Sequence, residues 1–179
     1  NLLPSNPYGQ TKLFSERIIT DWVKKDKSFS AVLLRYFNPV GAHESALIGE
    51  NSRGVPNNLV PYISQVAKGK LEKLSVFGNT YNTPDGTGLR DYIHISDLVL
   101  GHLSSLEFVN NKRGLEIFNL GNGQAISVLE MINTFKKISG VSIPYTFAPK
   151  RDGDIAISYA DIKKAKNILG WTAKKNIIN

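Results

Sequence analysis

The sequence contains no cysteine among its 179 residues, which excludes disulfides and metal sites with thiolate ligands. It has no apolar run long enough to cross a bilayer, and residues 1–4 are too few to hold the successive basic and apolar regions of a signal peptide. Its three histidines, at positions 43, 94 and 102, lack the spacing of a zinc site. We therefore expect a cytoplasmic protein that binds no metal and enters no membrane.

Positive charge exceeds negative charge, with a formal net charge of +7, and such an excess invites a nucleic-acid-binding interpretation. Much of the excess comes from two groups of lysines, at positions 24, 25 and 27 and at positions 163, 164, 166, 174 and 175. Neither an RNP-like aromatic motif nor a recognition helix accompanies these lysines, which are typical of solvated helix faces. The sequence therefore predicts no nucleic-acid partner.

Helical and strand-like patterns alternate along the chain, whose content of 41% hydrophobic and 21% charged residues is ordinary for a packed globular protein. The predicted helices cover residues 7–25, 58–68, a segment ending near 108, residues 127–139 and a short segment opening at 161. The predicted strands cover residues 30–37, 74–77, 90–95, 115–120, 144–148 and 155–159, and residues 38–41 are expected to break the first strand. Ser96 or Asp97 is expected to cap the third helix, and a capping box of Ser127 and Glu130 to open the fourth. This alternation predicts an α/β architecture with a largely parallel sheet.

The most informative short motif is Tyr8-Gly-Gln-Thr-Lys12, because a tyrosine and a lysine four residues apart lie on one face of a helix. An ammonium close to a phenol stabilises the phenolate, so that the phenol can accept and release a proton nearer to neutral pH. The spacing alone is a weak signal, since an exposed tyrosine and an exposed lysine on a surface helix give the same pattern. Its interpretation therefore depends on the rest of the chain.

Eight short blocks follow one another along nearly the whole chain. They are Tyr8 with Lys12, RYFNPVGA (35–42), NNLVPY (57–62), FGN (77–79), DGTG (85–88), RDYIH (90–94), NLGNG (119–123) and RDGD (151–154). Together they resemble the extended short-chain dehydrogenase/reductases and, within them, the UDP-glucose 4-epimerases. One block would be a weak signal, whereas eight collinear blocks are specific.

The resemblance implies the C-terminal part of an NAD-binding Rossmann domain and a smaller α/β substrate-binding domain. We expect residues 1–38 to end the Rossmann domain, residues 39–179 to form mainly the UDP-sugar-binding domain, and residues 90–121 to return to the Rossmann sheet. The family's GxxGxxG turn, which places the dinucleotide pyrophosphate at a helix N-terminus, and its catalytic serine or threonine would both precede Asn1. The chain alone is therefore expected to be inactive, and the full-length protein to be a homodimer that uses the helix beginning near Pro7.

The same resemblance implies roles for particular residues in the interconversion of UDP-glucose and UDP-galactose, by transient oxidation at C4 with NAD. Tyr8 is the expected catalytic base, and Lys12 is expected to assist it and to bind the nicotinamide ribose. Tyr36 and Pro39 are expected near the nicotinamide end of the cofactor. The residues expected to bind the UDP-sugar are Asn38, Asn58, Leu59, Leu74, Ser75, Phe77, Arg90, Arg151, Asp154 and Ser158.

Chemistry supports several of these assignments. Arg90 and Arg151 suit a diphosphate because a guanidinium offers paired donors, and Asp154 can accept from ribose hydroxyls. Residues 74, 75 and 77 correspond to the family's uracil pocket, where backbone groups and an aromatic face can hold a pyrimidine. Ser158 corresponds to a position beside the sugar's C2 substituent, and a small residue there implies that UDP-GlcNAc and UDP-GalNAc are accepted too.

Other interpretations stay open at this point. A sister enzyme, such as a nucleotide-sugar dehydratase or an epimerase of UDP-xylose or UDP-glucuronate, would share many of the blocks, although NNLVPY at 57–62 favours the galactose epimerase. A dehydratase needs an acidic pair just before the tyrosine block, a position outside this sequence. A non-catalytic sugar-nucleotide-binding protein is the more distant alternative. Without the resemblance, Arg90 and Asp91 would be interpreted as a surface ion pair.

Overall fold

Helices and strands alternate along residues 3–4 and 6–178, the part of the chain that the computed structural model describes. The helices are α1 (Pro7–Lys25), α2 (Leu59–Ala67), α3 (Ile95–Asn111), α4 (Val128–Ser139) and a short wide-turn helix, α5 (Ala165–Leu169). The strands are β1 (Ala31–Tyr36), β2 (Asn38–Val40), β3 (Leu74–Phe77), β4 (Leu89–Arg90), β5 (Tyr92–His94), β6 (Leu115–Leu120), β7 (Ile126–Ser127), β8 (Tyr145–Ala148) and β9 (Ile157–Ser158). The predicted α/β alternation is confirmed.

Local capping signals account for the ends of α1 and α4. The Asn6 side chain accepts a hydrogen bond from the backbone N–H of Gly9 at 2.8 Å, which satisfies one of the free donors at the start of α1. Ser127 Oγ accepts a hydrogen bond from the backbone N–H of Glu130 at 2.9 Å, so the predicted capping box does open α4. Gly140 ends α4 with a φ of 69°, a left-handed conformation that glycine adopts without steric cost.

Parallel pairing joins strands that lie far apart in the sequence. β1 pairs with β6, from Ala31 opposite Leu115 to Tyr36 opposite Leu120. The pairs β2–β5, β3–β8 and β4–β9 are also parallel, whereas β4–β7 is antiparallel. Among the described residues these pairs form four small sheets and not one continuous sheet. Most of these strands have only two to four residues, so each offers few ladder hydrogen bonds to a further neighbour.

Two apolar cores hold these sheets and helices together. Ile63 of α2, Val76 of β3 and Ile132 of α4 belong to the first core, and Phe118 of β6 and Trp171 belong to the second. β5 contributes to both, because successive residues of a strand point to opposite faces: residue 92 is buried in the first core and residue 93 in the second. The division of the chain at residue 38 into two domains stays a prediction.

Two expected boundaries were wrong. The segment expected to break the first strand instead forms a strand of its own, β2, which follows Phe37 and pairs with β5. A proline fits in β2 because the strand is short and the fixed φ of proline suits an extended chain. The cap of α3 is His94, whose Nδ1 accepts a hydrogen bond from the backbone N–H of Ser96 at 3.1 Å. Asp97 was one of the expected caps, but its carboxylate is buried and accepts backbone N–H groups near the other end of the chain.

The last expected elements are shorter in the structure. The strand expected over residues 155–159 is only two residues long, and the helix expected from Asp161 has helical residues at 163–164 followed directly by the wide-turn α5. Asp161 Oδ1 accepts a hydrogen bond from the backbone N–H of Lys163 at 3.0 Å, and the Lys166 N–H donates to the Ile162 carbonyl at 3.0 Å, so the expected helical opening at Asp161 is close to the observed one.

Exposed apolar side chains form a row on α1. Phe14, Ile18 and Trp22 are each more than half exposed, and their four-residue spacing places them on neighbouring turns of one helix face. Leu103 and Leu106 of α3 are exposed to a similar degree. Apolar rows of this kind are typical of surfaces that pack against another polypeptide. They do not amount to a membrane span, since no helix within residues 3–4 and 6–178 is long and apolar enough to cross a bilayer.

Candidate functional site

A cavity of about 210 Å³ opens between β3, β4 and the start of α2. Every residue expected to bind a UDP-sugar lines this cavity except Ser158, which lies on β9. The structure thus brings together side chains from positions 38 to 154 of the chain. Their contacts with a ligand stay predictions.

Two arginines and one aspartate form the charged side of the cavity. Arg151 Nε lies 2.9 Å from Asp154 Oδ2, and Arg90 Nη2 lies 3.9 Å from Asp154 Oδ1, so one carboxylate serves both guanidinium groups. Arg90 Nη1 also donates a hydrogen bond to the carbonyl of Leu89 at 2.9 Å, which restricts its side chain. Two guanidinium groups beside a single carboxylate leave an excess of positive charge and free donors, a combination that suits a diphosphate.

An aromatic face adjoins these arginines. The guanidinium carbon of Arg151 lies 4.9 Å from the centre of the Phe77 ring, and 40% of Phe77 is exposed. Leu74 is only 1% exposed and belongs to the first core, so its side chain is not offered to the cavity. β3 therefore presents backbone groups and one ring face, which suits a planar heterocycle.

Two asparagines complete the polar lining. Asn58 precedes α2, but its side chain makes no capping hydrogen bond to the helix, so within the described residues its carboxamide remains available to a ligand. Asn38 begins β2, and its backbone N–H donates a hydrogen bond to the carbonyl of Asp91 at 2.9 Å. This bond fixes the strand that carries Asn38 to the cavity.

Tyr8 and Lys12 lie on α1, apart from the residues that line the cavity. Lys12 Nζ is 5.0 Å from the centre of the Tyr8 ring, and 71% of Tyr8 is exposed. One turn further along α1, Glu16 accepts two hydrogen bonds from Arg35 of β1, at 2.7 and 2.6 Å, which fixes the orientation of α1 on β1. The two side chains do share a helix face, and their catalytic roles stay predictions.

Tyr36 and Pro39 lie near the carboxyl end of β1. The Tyr36 hydroxyl is 2.8 Å from His102 Nε2, and His102 Nδ1 is 2.9 Å from the Leu98 carbonyl, which only accepts. A neutral His102 therefore donates from Nδ1 and accepts from the Tyr36 hydroxyl at Nε2. Pro39 lines a second cavity of about 700 Å³, with apolar side chains such as Ile95 on its wall. Their contacts with a cofactor stay predictions.

Two features of the site were not predicted from the sequence. Tyr81 lines the first cavity, has Lys150 Nζ 4.3 Å from its ring centre, and finds no hydrogen-bond partner for its buried hydroxyl within the described residues. Asp91 is fully buried, and its carboxylate accepts hydrogen bonds from three backbone N–H groups. The interpretation of Arg90 and Asp91 as a surface ion pair, made without the resemblance, was therefore wrong. The signal for Asp91 was available, since an acidic residue within a short apolar strand needs a buried partner. Nothing local marks Tyr81.

Tyr92 gives a testable pH dependence. Burial raises its pKa to about 12, although the positive charge of Arg90 acts in the opposite direction. Because the pKa in the folded protein lies above that in the unfolded chain, the stabilising contribution is complete below about pH 10 and is lost as pH rises towards about 12. We expect the free energy of unfolding, measured in urea, to fall by about 2–3 kcal/mol more in wild type than in Tyr92→Phe across this range. Equal pH slopes for the two proteins would contradict the assignment.

Comparison with known proteins gives a consistent result. The family model described as GDP-mannose 4,6 dehydratase matches residues 1–178. A curated UDP-glucose 4-epimerase of Bacillus subtilis (strain 168) is 57% identical over 97% of this chain and 51% of its own length. The chain thus spans about half the length of the curated relatives it matches. The resemblance predicted from the eight sequence blocks is confirmed.

Solved structures extend the similarity to the fold. A UDP-glucose 4-epimerase of Stenotrophomonas maltophila, with bound NAD and formylated UDP-arabinopyranose, superposes with a TM-score of 0.96 at 47% identity, over 99% of this chain and 53% of that one. The UDP-Glc/GlcNAc 4-epimerase of Campylobacter jejuni superposes with a TM-score of 0.78 at 36% identity, over 99% of this chain and 54% of that one. The predicted fold class, part of a Rossmann domain with a smaller α/β substrate-binding domain, is confirmed.

Proposed function

This chain belongs to the GDP-mannose 4,6 dehydratase family, and from that premise we propose that the full-length protein is an NAD-dependent epimerase that interconverts UDP-glucose and UDP-galactose. The observation that carries the proposal is the cavity in which Arg90, Arg151 and the Phe77 ring converge. A pair of guanidinium groups beside an aromatic face matches a diphosphate joined to a planar base. Relatives that share about half of this sequence are named for that reaction.

Most of the contacts proposed in the cavity are with the nucleotide part of the UDP-sugar. Arg90 and Arg151 bind the diphosphate, and Asp154, which lies against both in this structure, accepts from the ribose hydroxyls. The uracil lies beside Phe77 and hydrogen-bonds to the backbone near Ser75. Asn38 and Asn58 contact the sugar side of the ligand.

The residues present fit one end of NAD. Lys12 offers an exposed ammonium to ribose hydroxyls, and Pro39 borders an apolar cavity large enough for a nicotinamide ring. Tyr36 precedes Pro39 by three residues, and its hydroxyl lies 2.8 Å from His102 Nε2. NAD, when bound, takes up and returns the hydride of C4. The GxxGxxG turn that would hold its pyrophosphate is not part of this sequence.

Proton transfer is the part of the reaction assigned to this chain's own side chains. The Tyr8 phenolate takes the proton of the sugar's 4-hydroxyl, which leaves Tyr8 as a neutral phenol, and the phenol returns that proton after the sugar has presented its other face. Lys12, whose Nζ lies 5.0 Å from the centre of the Tyr8 ring, stabilises the phenolate before it accepts the proton. The contact between Glu16 and Arg35 keeps the helix that bears both groups in place.

The proposal is tested by assaying the full-length protein for conversion of UDP-galactose to UDP-glucose with NAD. We expect turnover from the full-length protein and none from purified residues 1–179, because the missing phosphate turn carries much of dinucleotide binding. A full-length protein that binds UDP-galactose but leaves it unchanged would contradict the epimerase assignment. Turnover by residues 1–179 alone would contradict the expected inactivity of the fragment.

A dehydratase is the second candidate, because the matching family model is described as a GDP-mannose 4,6 dehydratase. The same assay separates the two, since a dehydratase releases a 4-keto-6-deoxy sugar and an epimerase releases an unoxidised one. The names of the relatives at 57% and 54% identity favour the epimerase.

A homodimer through α1 is part of the proposal. Phe14, Ile18 and Trp22 form an exposed apolar row on that helix, and burying them against a second copy would remove them from water. A two-fold axis would place the same row of each copy in the interface.

We also propose that the enzyme accepts UDP-GlcNAc and UDP-GalNAc. Ser158 pairs with Arg90 across β4 and β9, so its small side chain lies close to the strand that presents a diphosphate-binding residue. The similarity to a UDP-Glc/GlcNAc 4-epimerase supports this wider substrate range.

A further inference from the structure

Asp91 is a fully buried carboxylate that lies between β4 and β5, outside the contacts assigned to any ligand. Its Oδ1 accepts a hydrogen bond from the backbone N–H of Asn122 at 2.8 Å. Its Oδ2 accepts two more, from the backbone N–H of Gly123 at 2.8 Å and of Ala160 at 3.1 Å. A buried carboxylate is costly unless such donors satisfy it, so the three bonds are what allow Asp91 to be buried here.

The main chain of Asp91 makes two further connections. Its N–H donates to the Ser158 carbonyl at 3.0 Å, and its carbonyl accepts from the N–H of Asn38 at 2.9 Å. Residue 91 therefore joins four segments: β2, the junction of β4 and β5, the turn at 121–123, and the end of β9. These segments lie far apart in the sequence, and the Asp91 hydrogen bonds hold them together alongside the β2–β5 and β4–β9 strand pairs and the bond from the Asn122 side chain to the Tyr92 carbonyl.

The joined segments carry the charged side of the nucleotide cavity. Arg90 precedes Asp91 directly, and in the β4–β9 pair it stands opposite Ser158. The same strand pair is continued by a hydrogen bond from the Leu89 N–H to the Ala156 carbonyl at 2.8 Å, two residues after Asp154. The relative position of Arg90 and Asp154 thus depends on how β9 is held against β4.

The space around the Asp91 carboxylate is closed. A Cβ atom added to Gly121 would lie 2.6 Å from Asp91 Oδ2 and 2.7 Å from the Cβ of Ala160, both too close for real contacts. Only a residue without a Cβ at position 121 allows the turn, the Asp91 carboxylate and the end of β9 to pack this closely. A methyl group there would push the carboxylate away from its donors.

We propose that Asp91 is a positioning residue for nucleotide binding, whose carboxylate holds β9 and the 121–123 turn against β4 so that Arg90 and Arg151 face one diphosphate together, with Asp154 between them. This inference rests on the proposed UDP-sugar function. Asp91 acts through its neighbours and touches no ligand. It therefore controls affinity for the nucleotide, whereas Tyr8 and Lys12, on a separate helix, control the chemical step.

The test uses Asp91→Asn in the full-length protein, because asparagine has the same shape but replaces one acceptor oxygen with a donor. We expect the dissociation constant of UDP, measured by titration calorimetry, and the KM for UDP-galactose to rise about tenfold, with kcat changed by less than about twofold. Gly121→Ala, whose added methyl group would displace the Asp91 carboxylate, should also raise the dissociation constant of UDP and the KM for UDP-galactose. Unchanged UDP affinity in both variants would overturn the inference.

Asp97→Asn is the matched control. Asp97 is also buried, at 2% exposed, and also accepts backbone N–H groups, from Lys174 at 2.9 Å and Lys175 at 2.8 Å, but neither lysine lines the nucleotide cavity. We expect Asp97→Asn to lower the urea midpoint of unfolding without changing the dissociation constant of UDP. An equal loss of UDP affinity in Asp97→Asn would show that general destabilisation explains the effect, and would overturn the inference.

The two proposals fail in different ways. A wild-type protein that does not bind UDP would overturn the proposed function, and the nucleotide role of Asp91 with it. A wild-type protein that binds UDP no better than Asp91→Asn would overturn the positioning role alone. Exchange of backbone amide hydrogens gives a direct check, since Asn122, Gly123 and Ala160 should lose protection in Asp91→Asn and keep it in Asp97→Asn.

Discussion

Replacing Tyr8 by phenylalanine in the full-length protein should lower kcat for UDP-galactose by a factor of about 10³, the range expected when a general base is lost. The ring remains and only the hydroxyl is removed, so α1 should keep its structure. The dissociation constant of UDP should stay within about twofold of wild type, because the nucleotide contacts lie in the cavity and Tyr8 lies apart on α1. Steady-state kinetics and UDP titration of the same preparations measure both quantities.

Two companion variants sharpen this test. Tyr145→Phe removes the hydroxyl of another exposed tyrosine, on β8, and should leave kcat unchanged. Lys12→Met removes the cation beside the Tyr8 ring and should slow turnover while leaving UDP affinity intact. A wild-type rate in Tyr8→Phe would show that this tyrosine is not the base, and a selective loss of UDP affinity would assign it to binding.

Replacing Ser158 by tyrosine should remove activity on UDP-GlcNAc while sparing activity on UDP-glucose. A bulky side chain that fills the space beside C2 excludes an N-acetyl group sterically, and such exclusion discriminates more sharply than the loss of a weak contact. We expect kcat/KM for UDP-GlcNAc to fall about 100-fold and that for UDP-galactose to change less than about threefold. Parallel kinetics with the four UDP-sugars measure the selectivity.

Ile157→Tyr is the matched control for Ser158→Tyr. Residues 157 and 158 are neighbours on β9 and so point to opposite faces of the strand, and Ile157 is 47% exposed. The control adds the same bulk to the same strand and should leave both activities unchanged. Comparable UDP-GlcNAc turnover in wild type and Ser158→Tyr would show that this position does not limit the pocket.

The parts of the fold that the sequence predicted best depend on neighbouring residues. The bounds of α1 and α4 follow from side chains that cap their own helices, such as Asn6 and Ser127, and these signals are contained within a few residues. The cap of α3 was expected at Ser96 or Asp97 but lies at His94, because several polar residues stand close together there and tertiary contacts decide among them. The Asp97 carboxylate does not cap α3 because it accepts hydrogen bonds from the backbone N–H groups of Lys174 and Lys175. No local sequence pattern reveals these distant donors.

The candidate site also has parts that the sequence predicted and parts that depend on tertiary contacts. The eight blocks predicted that Arg90, Arg151 and Phe77 share one site, because a resemblance to a family carries three-dimensional information that single residues lack, and all three line one cavity. The sequence indicates that Asp91 needs buried partners but not which ones, since its donors lie far along the chain at residues 122, 123 and 160. The unpartnered hydroxyl of Tyr81 depends on the shape of the folded cavity and leaves no trace in the sequence.

The pairing of distant strands has a consequence for how this chain reaches its structure. β1 cannot pair with β6 until Leu115–Leu120 is available, and β3 similarly waits for Tyr145–Ala148. Each pairing closes a long loop before any ladder bond forms, and such non-local topologies fold slowly. On a ribosome β1 would emerge well before its partner, with the apolar side chains of Val32 and Leu34 still unburied. Folding of this chain is therefore paced by the arrival of its later strands, and until then its early strands are the segments most exposed to association with other chains.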